Sequence, residues 1–261
     1  MSKSYDERRF VRQRAFEYLI DDDDLTAWIS EGCSGGAEVY TLPEQVEIDG
    51  KTYRLTSVEI GAFCSDQERI RELFIPDCYE YIDEDSFKIN SLRIVHIGKG
   101  LQAFQPWSFT SKLETLTIHP DNPLLSVSAD GKCILRKDDE TMLVGVVGDP
   151  VDLLVPEGVE FVFNRAISCK ERLETLTLPT TLKAISSNGI FECHALKELV
   201  IHTDKVLTAN ENPVDSYLFS LTPLDTFRRL IVPRHLVNEY RRHPVWGWFK
   251  RIESIEDKKR E

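Results

Sequence analysis

The chain lacks any long apolar run. Nowhere do about 18 apolar residues follow one another, so no membrane-spanning helix is predicted. Met1 to Arg14 is charged and has no apolar segment behind it, which predicts no secretory leader in this sequence. Basic residues are in deficit: 32 Lys and Arg stand against 44 Asp and Glu, a net charge of −12. Nucleic acid would draw its affinity from a basic patch, so a nucleic-acid partner is not expected. Methionine is scarce, at two, and the six cysteines show neither C-x-x-C pairing nor zinc-ligand spacing. There is no nucleophile elbow, P-loop, H-E-x-x-H or dinucleotide fingerprint, and the six histidines are scattered. These absences point away from an enzyme and imply no cofactor and no metal.

A repeat is present instead. The spacing apolar-x-x-apolar-x-apolar recurs as Ile70/Leu73/Ile75, Leu92/Val95/Ile97, Leu113/Leu116/Ile118, Leu173/Leu176/Leu178, Leu196/Leu199/Ile201 and Phe227/Leu230/Val232. A seventh copy, Leu153/Val155, has Pro150 in place of its first member. The middle residues are 22, 21, 37, 23, 23 and 31 apart, so the two long steps are coils carrying insertions. A period of ~22–23 with this pattern predicts a mainly β repeat solenoid, a right-handed leucine-rich coil stack.

One coil shows the logic. Leu73 and Ile75 alternate onto one face of a strand, which Pro76 ends because proline cannot donate to a ladder. Tyr79, Ile82 and the pair Ser86-Phe87 follow, and the coil after Gly98 repeats them as Leu101, Phe104 and Ser108-Phe109. No coil can bury both apolar edges alone, whereas stacked coils make a continuous core. Phe63, Phe87, Phe109 and Phe191, with Ile167 substituting, are expected to form an interior column. Cys64, Cys169 and Cys193 at the coil turns are read as small buried free thiols.

The unit Leu173 to Ile185, followed by a small-Phe pair and a cysteine, resembles the BspA-type leucine-rich repeats of bacteria. The resemblance spans roughly residues 16 to 256 and recurs in register at least six times. It departs where Gly98 and His202 replace the proline after the strand, and where Arg165-Ala166-Ile167 replaces an Ala-Phe pair. It implies adhesion or cell-surface contact with a protein partner, on the surface or secreted. Were this chain full length, the absent leader would place it in the cytoplasm instead. A carbohydrate-binding or cell-wall-associated module is the alternative, with no membrane insertion and a monomer expected in either case.

Three segments follow: a cap and hairpin module over 1–56, repeats over 57–232 with insertions near 119–150 and 203–226, and a carboxyl-terminal cap over 233–261. The first insertion reads as a hairpin around Asp130-Gly131 with short strands at Cys133 to Leu135 and Met142 to Val144. The cap is predicted to join a helix from Arg234 to Arg242 with Trp246, Trp248, Phe249, Ile252 and Ile255. At the amino end, Phe10, Phe16 and Leu19 have helical spacing over Tyr5 to Leu19, while a hairpin of Tyr18 to Ser30 around Asp21–Asp24 is the alternative. The four aspartates lack the glycine and spaced ligands of a calcium loop and read as a solvated turn.

Strand residues between the inward pairs are expected to face solvent. One row is Phe74, His96, Thr117, Leu154, Thr177, Val200 and Ile231; the other is Glu72, Ile94, Thr115, Asp152, Thr175, Glu198 and Arg229. The apolar members mark an interaction face. Glu72, Asp152 and Glu198 would give it an acidic rim suited to a basic partner.

Overall fold

Each copy of the apolar repeat forms a short strand, and successive copies pair in parallel in the register that the period requires. The computed structural model describes residues 8–64, 69–105, 108–109, 112–138, 141–209 and 229–258. The chain divides between Ser126 and Val127 into two units.

In the first unit, Glu72–Ile75, Ile94–Ile97 and Thr115–Ile118 lie side by side, with Leu73, Val95 and Leu116 in one row. A further strand, Val39–Thr41, adds to their edge and sets Tyr40 beside Leu73. The opposite sheet runs through Lys51–Val58, Tyr81–Ile82 and Ala103–Phe104. Gln45–Ile48 folds back on Lys51–Val58 as a hairpin. At its turn Asp49 and Gly50 both have positive φ, 51° and 77°, which two-residue hairpin loops require. Between the sheets Leu55, Val58, Leu73, Ile82, Val95 and Leu116 are buried. A fully buried side chain of this size contributes about 1.5–3 kcal/mol.

Gly98, the departure from the strand-ending proline, marks a close approach. A Cβ there would stand 2.8 Å from the Pro76 carbonyl carbon, and one at Gly100 would stand 1.9 Å from the Asp77 oxygen. Adjacent coils touch backbone to backbone at this corner, leaving no room for a side chain.

The amino-terminal segment is all strand: Arg9–Gln13, Phe16–Asp21 and Thr26–Glu31 make an antiparallel meander whose last strand joins Lys51–Val58 in parallel. The helical spacing of Phe10, Phe16 and Leu19 is therefore overturned, and the hairpin around Asp21–Asp24 is what forms. Pairing on both flanks of Phe16–Asp21 satisfies its backbone and buries Tyr18 through Asp21 together, which erases the one-face periodicity of a surface strand. The Asp21 carboxylate accepts the amides of Asp23 and Asp24 at 2.9 and 3.2 Å, closing the turn.

The aromatic column exists in this unit. Phe63 and Phe87 stack with ring centroids 5.2 Å apart, and Phe87 and Phe109 at 5.9 Å. One residue before the pairs Ala62-Phe63 and Ser86-Phe87 the chain turns left-handed, at Gly61 (φ 66°) and Asp85 (φ 54°). The Ser86 hydroxyl lies 2.7 Å from the Asp83 carbonyl, and Ser108 lies at the same distance from that of Gln105. The small residue thus clasps the turn that aims the ring inward.

In the second unit, Asp152–Leu154, Thr175–Leu178, Glu198–Ile201, Arg229–Val232 and Arg251–Ser254 form one parallel sheet, with Leu153, Leu176, Leu199, Leu230 and Ile252 in a row. The last of these strands lies within the expected cap. The insertion forms the hairpin Cys133–Lys137 with Thr141–Val146, and its second strand joins the opposite sheet beside Phe161–Val162 and Ala184–Ile185. Arg165 and Asn188 take the left-handed turn position, φ 57° and 56°.

Here the column shifts register. Ile167 pairs with Ile190, both fully buried, and Phe191 pairs with Ser168. Phe191 is therefore not a column member; its ring lies outside, 5.2 Å from the Arg165 guanidinium. The shift also separates the cysteines. Cys169 aligns with Glu192, both at φ 52°, and donates to its carboxylate at 3.2 Å. All six cysteines are free, but Cys193 alone of the three turn cysteines is buried; Cys64 is exposed and Cys169 half-buried. Burial, then the Glu192 carboxylate, pushes the Cys169 thiol up to about 12. Cys169 is thus a thiol and not a thiolate at neutral pH.

The cap forms from a 3-10 turn at Arg234–Leu236, a helix at Val237–Arg242 and Trp246. Trp246 Nε1 donates to the Leu207 carbonyl at 3.0 Å, and the Tyr240 hydroxyl accepts the Leu207 amide at 3.2 Å. The two aromatics thereby satisfy both backbone groups of one residue of the core. Trp246, Phe249 and Ile252 are buried, whereas Trp248 is exposed and not part of the cover.

Candidate interaction surface

The outward rows place the candidate residues on two separate sheet faces. In the first unit Thr41, Phe74, His96 and Thr117 are neighbours in register, as are Val39, Glu72, Ile94 and Thr115. Phe74 stacks on the His96 imidazole with centroids 4.4 Å apart and planes 18° from parallel. The imidazole is held at both nitrogens: Nε2 lies 2.9 Å from the Glu72 carboxylate and Nδ1 lies 2.8 Å from the Thr117 hydroxyl. Four side chains from three strands are thus locked into one patch. Exposed Val39 and half-buried Ile94 lie beside it, in a shallow depression rimmed by Glu38, Arg71, Arg93 and Glu114. The signal for Val39 is a weak copy of the repeat, Ala37/Tyr40/Leu42 with Pro43 behind it, in which alanine and tyrosine fill the first two places.

A carboxylate, an imidazole and a hydroxyl stand here in series, the order of a hydrolytic triad. An oxyanion needs aimed donors, and the amides beside Thr117 are committed to the ladder, Thr115 to the Arg93 carbonyl at 3.0 Å and His119 to that of Ile97 at 2.8 Å. What the arrangement does is fix the orientation of two rings.

In the second unit the outward row divides. Leu154 is 61% exposed, Asp152 is exposed, and Thr175 and Thr177 are half-buried. Val200, at 6%, and Ile231 are buried, contrary to the expectation that this row faces solvent. Both lie in the interior of the sheet, Val200 between Thr177 and Ile231, and Ile231 between Val200 and Glu253. Glu198 is also buried, its carboxylate 2.8 Å from the Arg229 guanidinium, which reaches Glu253 at 3.6 Å on its other side. Glu198 therefore serves an internal ion pair and not an open acidic rim. Glu72 is likewise engaged by His96, leaving Asp152 as the exposed acidic member. The insertion residues 210–228 lie outside the described residues.

No curated protein matches the chain significantly. Among solved structures, a leucine-rich cell surface protein from Faecalibacterium prausnitzii shares 12% identity over 97% of this chain and 96% of its own, with a TM-score of 0.37. A leucine-rich repeat protein from Bacteroides ovatus shares 14% over 94% and 67%, with a TM-score of 0.40. The pneumococcal vaccine antigen PcpA shares 12% over 94% and 98%, with a TM-score of 0.28. The sequence profile of the BspA type leucine rich repeat region matches in six copies over residues 44–131 and 151–229, well over half of the chain. On that match the chain belongs to the BspA-type leucine-rich repeat family, and it is a repeat scaffold.

Proposed function

We propose that this chain is a non-enzymatic protein-binding scaffold of the adhesion or surface-contact type, acting through the outward strand face. The observation that carries the reading is the Phe74–His96 stack, fixed by Glu72 and Thr117 and bordered by Val39 and Ile94. A rigid aromatic anchor loses little conformational freedom on docking, and such anchors dominate interface energies. Leu154 offers a smaller apolar contact on the second unit, with Asp152 beside it.

The test is capture of partners by the purified chain from lysate and from matrix or serum proteins, followed by titration of the purified partner. Phe74→Asp is expected to weaken binding by about 2 kcal/mol, some thirtyfold, with unchanged circular dichroism. Leu154→Asp, made separately, asks whether the second unit takes part. A partner that binds the Phe74→Asp variant with native affinity would sink the assignment.

A further inference from the structure

The sheet opposite the strand face carries a second outward row that no repeat position predicts. Trp28, Ser57, Tyr81 and Ala103 stand in register on four adjacent parallel strands, a large, small, large, small alternation. They line a groove with Arg8, Thr26, Arg54, Thr56, Glu80 and Gln102. The two rings are two strand spacings apart, about 9.6 Å, with a slot between them over Ser57. Both are held in place. The Arg8 guanidinium packs 3.9 Å from the Trp28 ring centre, and the Tyr81 hydroxyl accepts from the Gln105 amide at 2.8 Å.

The groove floor has unused hydrogen-bonding capacity. Between Ala27 and Trp28 the register slips by one residue, so Thr56 is the extra residue of a bulge, a feature that re-aims side chains. Thr56 and Ser57 are 5% and 6% exposed, and their hydroxyls meet no partner among the described residues. Arg8, 8% exposed, keeps a buried Nε donor without a partner among them. A buried donor such as the Arg8 Nε is costly unless something fills it. The charges nearby cancel: Arg54 pairs with Glu80 at 3.1 Å, and Asp24 faces the same groove as Arg8. No excess of either sign remains to select an ion.

We propose that this groove binds an extended, uncharged oligosaccharide, the Trp28 and Tyr81 rings stacking on alternate sugars while Thr56, Ser57, Arg8 and Gln102 bond their hydroxyls. Rings spaced by two strands with a small residue between them suit a β-linked chain that advances by about one strand spacing per sugar. A hydroxyl-rich floor of balanced charge suits a polar ligand that carries none.

The experiment titrates the full chain with cellotetraose, with the β-1,4-linked N-acetylglucosamine tetramer and with tetragalacturonate, read by calorimetry. One of the two uncharged tetramers is expected to bind, and Tyr81→Ala and Trp28→Ala to weaken it about tenfold each. Ser57→Tyr, which fills the slot, is expected to abolish binding with unchanged circular dichroism, so the proposal stays testable if Trp28→Ala disturbs Arg8. Phe74→Asp is expected to bind the tetramer as the native chain does, which separates this groove from the strand face. No binding of either uncharged tetramer at millimolar concentration would overturn the proposal. So would binding of tetragalacturonate alone, or affinities unaltered in both Tyr81→Ala and Ser57→Tyr.

Discussion

Removing the Phe87 ring tests the idea that the aromatic column, and not the strands alone, holds the first unit together. Phe87 is fully buried and stacks on Phe63 with one face and on Phe109 with the other. Burial of the ring contributes about 1.5–3 kcal/mol, and each stacked pair adds about 0.5–1.5 kcal/mol. Phe87→Ala forfeits both pairs and leaves a cavity, so the expected loss is about 3–5 kcal/mol. Set against total stabilities of about 5–15 kcal/mol, that brings the unit near its unfolding threshold. Phe87→Leu keeps most of the apolar volume and loses chiefly the two stacked pairs, so it should cost about 1–3 kcal/mol and less than alanine does. Urea unfolding followed by hydrogen exchange resolves the first unit from the second and gives both numbers. A cost below about 1.5 kcal/mol for alanine, or equal costs for alanine and leucine, would refute the reasoning.

Three further outcomes are expected. Asp85→Gly relieves a non-glycine residue at positive φ but gives up the Lys88 ion pair at 3.3 Å and loosens the unfolded chain, so the same assay should show a change within about 1 kcal/mol. Gly100→Ala drives a methyl group into the Asp77 carbonyl and should cost about 1–3 kcal/mol or more, with the neighbouring coils losing exchange protection first. The Tyr53 hydroxyl, then Lys51, holds the Asp22 carboxyl down at about 2. A depressed carboxylate stabilises the fold above its unfolded pKa, and the contribution fades as pH falls through the folded value. The native chain should therefore exceed Asp22→Asn in thermal midpoint at pH 6, with the difference shrinking as pH falls from about 4 to about 2.

The repeat is legible because its period is a packing constraint: Leu73, Val95 and Leu116 can only be core if they stack, and they do. Phe191 misleads because the sequence offers two large apolar residues in succession, and the aromatic is the one that matches the column elsewhere. The left-handed turn at Asn188 decides for Ile190. The strand at Val39–Thr41 sits in a weak copy of the repeat, Ala37/Tyr40/Leu42, that alanine and tyrosine disguise, and the strand at Arg251–Ser254 has Ser254 where the last apolar residue would stand, so tertiary pairing is what reveals them. Alternation correctly puts Val200 and Ile231 off the core, but alternation states a direction and not an exposure. Trp28 and Tyr81 come to flank Ser57 through a parallel pairing of Thr26–Glu31 with Lys51–Val58 that includes a bulge, and no local pattern in the sequence encodes that.

The stacking of coils within each unit also has a mechanical consequence. Among the described residues each repeat strand pairs with the coil before and the coil after it, so tension applied along the chain would load one coil boundary at a time. A coil of ~22 residues pulled straight lengthens the chain by roughly 75 Å. Unfolding under force would thus proceed as a staircase of small extensions and not a single rupture, with the intact coils still presenting their outward rows.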